Sequence, residues 1–285
     1  MSDWADNTAQ QLLSQGLIKK GICLILGAAD TGKTTLTMAL VKRLAEQQPI
    51  AIVDADIGQS HIGPPTTVGW AVVDKPDVDF SQLAPAGISF VGHVTPVGHL
   101  LQLTAAIVQC VQQASKVAEL LIIDTPGLVR GPAATALWWT VQQILKPRLI
   151  LAVERQDELS AILSGMASFD IQLERIKSPP QMAIKSPQQR RSYRKSQFFS
   201  YFRDAELYNI NLRNIAVQPG RNVRGEGFIN RLVALRNKEG ADVALGVITG
   251  WRQNDKVIVV KARPLDISQI CCLVIGDITV DISSQ

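Results

Sequence analysis

The sequence predicts an α/β protein: a mostly parallel sheet flanked by helices, followed by a small β-rich C-terminal unit. Three observations carry that expectation. Short, wholly apolar runs recur at residues 22–26, 50–53, 120–123 and 149–153, the texture of parallel strands buried on both faces. Segments with helical spacing lie between them, such as Leu36, Ala39, Leu40 and Leu44. Beyond Asn214 that period is lost, and short apolar runs alternate with Gly, Asn and Asp, as in strands joined by turns.

Residues 3–18 read as a short helix or arm. The strand at 22–26 then runs into Gly27, Ala28, Asp30, Thr31, Gly32, Lys33, Thr34 and Thr35. Here Gly27, Gly32, Lys33 and Thr34 satisfy the phosphate-loop pattern G-x-x-x-x-G-K-[ST]. Strand, glycine loop and helix come in the order the mechanism needs. Glycines let backbone N–H groups approach a polyphosphate, and the helix N-terminus adds partial positive charge. Lys33 is expected to point at solvent or ligand and reach the β- and γ-phosphates, and Thr34 to sit on Mg²⁺. ATP and Mg²⁺ are therefore the expected ligands, within a P-loop NTPase fold.

Pro49 ends the first helix, and the strand at 50–53 delivers Asp54, Asp56 and Gln59 beside the crevice where open α/β sheets bind ligands. This strand is expected to neighbour the phosphate-loop strand. Residues 68–73 and 88–91 read as strands, joined by a polar connection over 74–85, and a helix follows over 97–117. The run at 120–123 ends in Asp124 and Thr125, a Walker B form that supports magnesium. A helix over 132–145, a strand over 149–153, a helix over 158–167 and a strand over 171–176 complete the alternation. Ser186, Pro187 and Gln189 then form a capping box with proline at the first helical position, so a helix starts there. Four apolar runs, at 215–217, 243–248, 257–260 and 272–275, make up the C-terminal unit. The division expected is 1–210, with an arginine lid at about 178–205, and 211–285.

Composition narrows the class. Of 285 residues, 46% are apolar, enough for a sizeable core. No apolar run approaches the ~20 residues of a membrane span. Cys23, Cys110, Cys271 and Cys272 lack metal-ligand spacing and read as reduced core thiols of a cytoplasmic protein. The net charge is +4, yet residues 175–203 alone carry eight basic residues and no acid. A polyanion would meet this one segment, since the rest of the chain is net negative.

The ordered set after the phosphate loop is specific. It comprises Asp54-Ala-Asp-Ile-Gly-Gln59, Gly92-His-Val-Thr-Pro96, Asp124-Thr-Pro-Gly127, and Arg190-Arg-Ser-Tyr-Arg194 with Tyr201 and Phe202. Over roughly residues 21 to 205 this resembles the polynucleotide 5′-hydroxyl kinases, which include the RNA kinase subunit of the pre-mRNA cleavage machinery and rRNA-processing kinases. The resemblance implies ATP-dependent phosphorylation of an RNA or DNA 5′-hydroxyl end. It implies catalytic roles for Lys33, Asp56, Arg190 and Arg194, and metal support from Thr34, Asp56 and Asp124. Gln59, His93, Thr95, Thr125 and Arg191 fall on the acceptor side. Three departures stand out. The β domain that eukaryotic members carry before the loop has no room here, Leu128 replaces the family's base-stacking tryptophan, and His99 stands near a family asparagine. Trp138 and Trp139, at helical spacing, read as core residues.

Three other classes fit part or all of the pattern. Asp124 and Gly127 match the D-x-x-G of GTPase switches, but the guanine-selecting N-K-x-D is missing after any strand. A partitioning-type ATPase would carry lysine where this chain has Ala28. An ATP-binding adaptor without kinase activity would keep the same residues. Protein partners are left open, and His61, His93 and His99 lack the spacing of a zinc site.

Overall fold

The computed structural model describes residues 2–76, 78–80, 83–220 and 227–282. Positions 77, 81 and 82 of the 74–85 connection lie outside the described residues.

The elements run in the expected order: α1 (Ser2–Ser14), β1 (Gly21–Gly27), α2 (Lys33–Leu44), β2 (Ile50–Asp54), β3 (Thr67–Val73), β4 (Gly87–Phe90), α3 (Leu100–Ala114), β5 (Leu120–Asp124), α4 (Pro132–Leu145), β6 (Leu149–Glu154), α5 (Ser160–Met166), β7 (Gln172–Lys177) and α6 (Pro187–Tyr201). Strands β7, β6, β1, β5 and β2 lie side by side and all parallel. Strand β3 then pairs antiparallel with β2, and β4 antiparallel with β3. Strand β2 does not border β1: β5 stands between them. This corrects the expected neighbourhood and puts two acid-bearing strand ends, not one, beside the loop.

Two apolar layers cover the parallel strands. Side chains of α3, α4 and α5 pack on one face, around Leu103, Ile107, Leu137 and the fully buried Trp138. Helices α1 and α2 pack on the other, around Ala9, Leu12, Leu36 and Leu40. Alternate strand residues supply both layers: Leu24 and Leu26 face one, Cys23 and Ile25 the other. Trp139 is not a core residue; it is 37% exposed and covers Gly165 at the α4–α5 contact. No helix among the described residues is long and apolar enough to cross a membrane.

The C-terminal strands are β8 (Glu206–Asn211), β9 (Ala216–Gln218), β10 (Arg231–Asn237), β11 (Asp242–Arg252), β12 (Val257–Ala262) and β13 (Ile270–Thr279). They pair antiparallel except β13 with β9. Strand β8, absent from the sequence reading, begins at Glu206 and pairs with β12. The two sets of strands are continuous through a bridge between Ile88 of β4 and Asp242 of β11. The buried Asp242 accepts hydrogen bonds from Phe90 N (2.7 Å) and from Arg236 Nε (2.8 Å). Cys271 and Cys272 stand half-buried on β13, so only Cys23 and Cys110 are core thiols.

Candidate active site

Strand β1 delivers the chain to the phosphate loop with little room for side chains. A Cβ on Gly27 would strike the Val153 carbonyl oxygen of β6 and lie 2.7 Å from Thr31 Oγ1. Gly32, the residue before α2, has φ 97° and sits against the Trp4 ring of α1, so only glycine fits there without strain. Asp30 also adopts a left-handed conformation, at φ 60°. The loop is braced from the β6 and β7 ends. Arg155 donates to the Asp30 carbonyl at 2.5 Å and Ser178 Oγ to the Thr31 carbonyl at 2.8 Å.

Lys33 is buried, and its Nζ donates to the Ala28 carbonyl at 2.8 Å. Of the two expected outlooks, solvent or ligand, burial removes the first, while Lys33 still lines the crevice beside the loop. An ammonium in a dry crevice takes the nearest acceptor, here a carbonyl of the loop itself. Burial lowers its pKa, opposed by Asp124, Asp56 and Asp30.

Three carboxylates gather beside the loop. Asp54 and Asp124 end neighbouring strands in direct register, and Asp124 is in register with Ile25 of β1. Asp124 Oδ2 accepts from Thr34 Oγ1 at 2.5 Å, while its Oδ1 is buried without a hydrogen-bond partner among the described residues. Asp54 accepts from the backbone N–H groups of Asp56 (3.0 Å), His61 (2.5 Å) and Ile62 (3.1 Å). Asp56 Oδ1 holds the following turn through Gly58 N and Gln59 N, both at 3.0 Å. Burial and the neighbouring carboxylates push both Asp54 and Asp124 up to about 7.

The arrangement fits a bound magnesium ion. Among the described residues no three His, Cys, Asp or Glu side chains form a metal cage, but Mg²⁺ takes one or two protein oxygens and completes its shell with phosphates and water. The Thr34 hydroxyl, the orphaned Asp124 oxygen and Asp56 are oxygen donors of that kind.

Helix α6 closes the crevice from the far side. Its capping box forms as expected, with Gln189 N donating to Ser186 Oγ at 3.1 Å and Ser186 N to Gln189 Oε1 at 2.7 Å. Arg190 pairs with Asp30 at 2.5 Å, and Tyr193 Oη donates to the Ser60 carbonyl at 2.8 Å. Arg194 is half-buried; burial and the neighbouring Arg191 and Arg190 lower its pKa, opposed by Asp56. Gln59 Nε2 reaches the Arg190 carbonyl at 3.4 Å. A crevice of about 300 Å³ lies between Lys33, Thr34, Asp56, Gln59 and Arg190. At the other end Phe198 and Phe202 are buried in an apolar cluster with Ile88, Phe90, Leu245 and Val247. Phe199 is not seated with them; it is 51% exposed.

A phosphate loop, two strand-end aspartates and an arginine helix in this order have a match among known proteins. The sequence model described as mRNA cleavage and polyadenylation factor CLP1 P-loop covers residues 27–204. The chain belongs to this family. Among its relatives, a polyribonucleotide 5′-hydroxyl-kinase of Pyrococcus abyssi is 32% identical over 213 residues, 74% of this chain and 59% of that protein. Another, of Pyrococcus furiosus, is 30% identical over 248 residues, 87% of this chain and 68% of that protein. The chain thus spans about three-fifths to two-thirds of the length of these relatives. A structure solved as a Clp1p–Pcf11p complex superposes with a TM-score of 0.72 over 96% of this chain and 77% of that one, at 11% identity, which establishes the fold alone.

The remaining expected residues divide. His93 Nδ1 accepts from Thr95 N at 3.1 Å, and its ring stacks on His99 at 4.4 Å. Their segment touches the Asp56–Gln59 turn: a Cβ on Gly58 would come within 2.8 Å of the Val94 carbonyl. Arg191 is exposed, next in the chain to Arg190 of the crevice and near Arg194. Thr125 is a correction. It is buried, and its hydroxyl donates to the Ile25 carbonyl at 2.6 Å, so it ties β5 to β1 and is closed to an acceptor. Leu128, where the family has tryptophan, packs against the α3–α4 core. The bracing residues Trp4, Arg155, Ser178 and Tyr193 were missed. Each acts through a backbone carbonyl or a glycine far away in sequence, and nothing local marks them. Asp54 was flagged only as one carboxylate of a D-x-D pair.

Proposed function

We propose that this chain transfers the γ-phosphate of ATP to the 5′-hydroxyl end of a polynucleotide, with RNA as the acceptor class. One observation carries the reading: the phosphate loop, Asp56 and Arg190 of α6 line one crevice, with Asp124 bonded to Thr34 at its edge and Arg194 close enough to Asp56 to feel its charge. A mere switch or adaptor gives no reason for a basic helix capped over the phosphate site. The names of the Pyrococcus relatives support the acceptor class.

Phosphoryl transfer is mostly positioning and neutralisation of charge. Backbone N–H groups from Gly27 to Thr35 and the N-terminus of α2 would cradle the phosphates, with Lys33 released from Ala28 onto them. Thr34 and Asp124 would hold Mg²⁺, with Asp56 supporting its water shell, and the ion would supply charge neutralisation on the phosphate oxygens. Asp56 Oδ1 is committed to its turn, and Oδ2 makes no hydrogen bond among the described residues. That oxygen takes the proton of the acceptor hydroxyl as the new O–P bond forms and the bond to the ADP oxygen breaks. Arg190 and Arg194 neutralise the transferring group. His93, Thr95, Gln59 and Arg191 would lie along the acceptor.

The test is incubation with γ-labelled ATP and 5′-hydroxyl RNA and DNA oligonucleotides. Labelled RNA is the expected product, and Arg194→Ala should lower turnover by roughly 10³-fold. Absence of label from every 5′-hydroxyl end would overturn the proposal.

A further inference from the structure

We infer that the outer side of α6 and the groove at its foot form a track for the single-stranded RNA that trails from the phosphorylated end, with Phe199 as a base-stacking platform. The orientation of the strand rests on the kinase reading above.

Residues 191, 195 and 199 are four apart, so they form one stripe along the helix, about 12 Å from Arg191 to Phe199. Arg203 continues it just past the helix end. All four are exposed, and Arg191, Lys195 and Arg203 make no hydrogen bond or ion pair among the described residues. Helix α6 contains no acid. The stripe starts one residue from Arg190, which lies in the catalytic crevice. It ends at a groove of about 450 Å³ between α6 and the end of β13, floored by Phe198, Phe202, Val280 and Ile282. Lys261 of β12 adds a further cation to its wall, and Asp281, the acid lining it, is engaged in an interaction of its own.

A large exposed ring flanked by unpaired cations is poor economy for a solvated helix face. It matches the way single strands are bound: cations follow the phosphates and an aromatic face stacks on a base. The geometry also compensates a loss. Leu128, half-buried against the α3–α4 core, offers no ring at the first base, so base contact moves along the strand to Phe199. An acidic protein segment would satisfy the cations, but it gives no reason for the stripe to begin at the catalytic arginines.

Fluorescence anisotropy of the full chain with a labelled 5′-hydroxyl RNA 12-mer tests this. Phe199→Ala should weaken binding by roughly 5- to 100-fold, and Phe199→Trp should retain it. The Lys195→Ala/Arg203→Ala pair should flatten the slope of log K against log salt by about 1.4. ATP binding and phosphorylation of a trinucleotide, too short to reach Phe199, should be unchanged in all three. Equal 12-mer affinity in parent and Phe199→Ala overturns the track, as does competition by polyglutamate as effective as by unlabelled RNA. If no phosphate is transferred but 12-mer binding still depends on Phe199, the kinase reading fails and the track stands.

Discussion

Replacing Asp124 by asparagine should make the ligand-free protein more stable at alkaline pH while weakening its response to magnesium and nucleotide. Burial, then Asp54, pushes the Asp124 carboxyl from an ordinary 3.8 up to about 7. The folded chain therefore keeps a proton that the unfolded chain releases, and folding stability falls as pH rises between those values. Above about 7 both states are ionised and the penalty is complete. Integrated from pH 5 to pH 8.5, the penalty grows by roughly 2–3 kcal/mol. Asparagine has no such titration, and its carbonyl still accepts from Thr34. Relative to the parent, the variant should thus gain roughly 3–5 °C in melting temperature on going from pH 5 to pH 8.5. Thermal melts without nucleotide or divalent ions measure this, with the Mg²⁺-ADP shift recorded separately. A difference between variant and parent that is the same at both pH values refutes the reasoning. So does a full Mg²⁺-ADP shift in the variant.

Lys33→Ala should leave the fold intact, because among the described residues Nζ bonds only the loop's own Ala28 carbonyl, and should abolish ATP binding; calorimetric titration with equal affinity in both proteins would refute the site. Asp56→Asn should bind ATP nearly as the parent does yet lose turnover by about 10²-fold or more, read from single-turnover transfer to RNA. Asp242→Ala should strand Arg236 and the Phe90 N–H where β4 meets β11; removing one partner of such a pair costs about 3 kcal/mol or more, visible as a lower denaturation midpoint in urea.

Much of the candidate site is legible in the sequence because its parts are local. The phosphate loop is one continuous stretch between an apolar strand and an amphipathic helix. Asp124 follows its own apolar run, and the capping box at Ser186 lies within four residues. Such signals depend on backbone geometry over a single turn, so spacing suffices to read them. The C-terminal strands are less legible. The run at 232–235 is as apolar as the others and was passed over, while β8 alternates only weakly and its pairing with β12 is visible only in three dimensions.

The sequence by itself determined the chemistry this chain can hold: a triphosphate loop, strand-end carboxylates and a basic helix without acids. Tertiary structure alone decided which of these meet. It put β5 between β1 and β2, so that Asp124 and Asp54 share a dry wall where burial raises both carboxyls, Asp56 adding to the rise at Asp54 and Asp54 to the rise at Asp124. It turned Lys33 inward onto Ala28, closed Thr125 onto Ile25, and left Phe199 outside while Phe198 and Phe202 went in. Strand order and the side on which a helix docks are set by how apolar surface is shared among distant segments, and no local spacing encodes that sum.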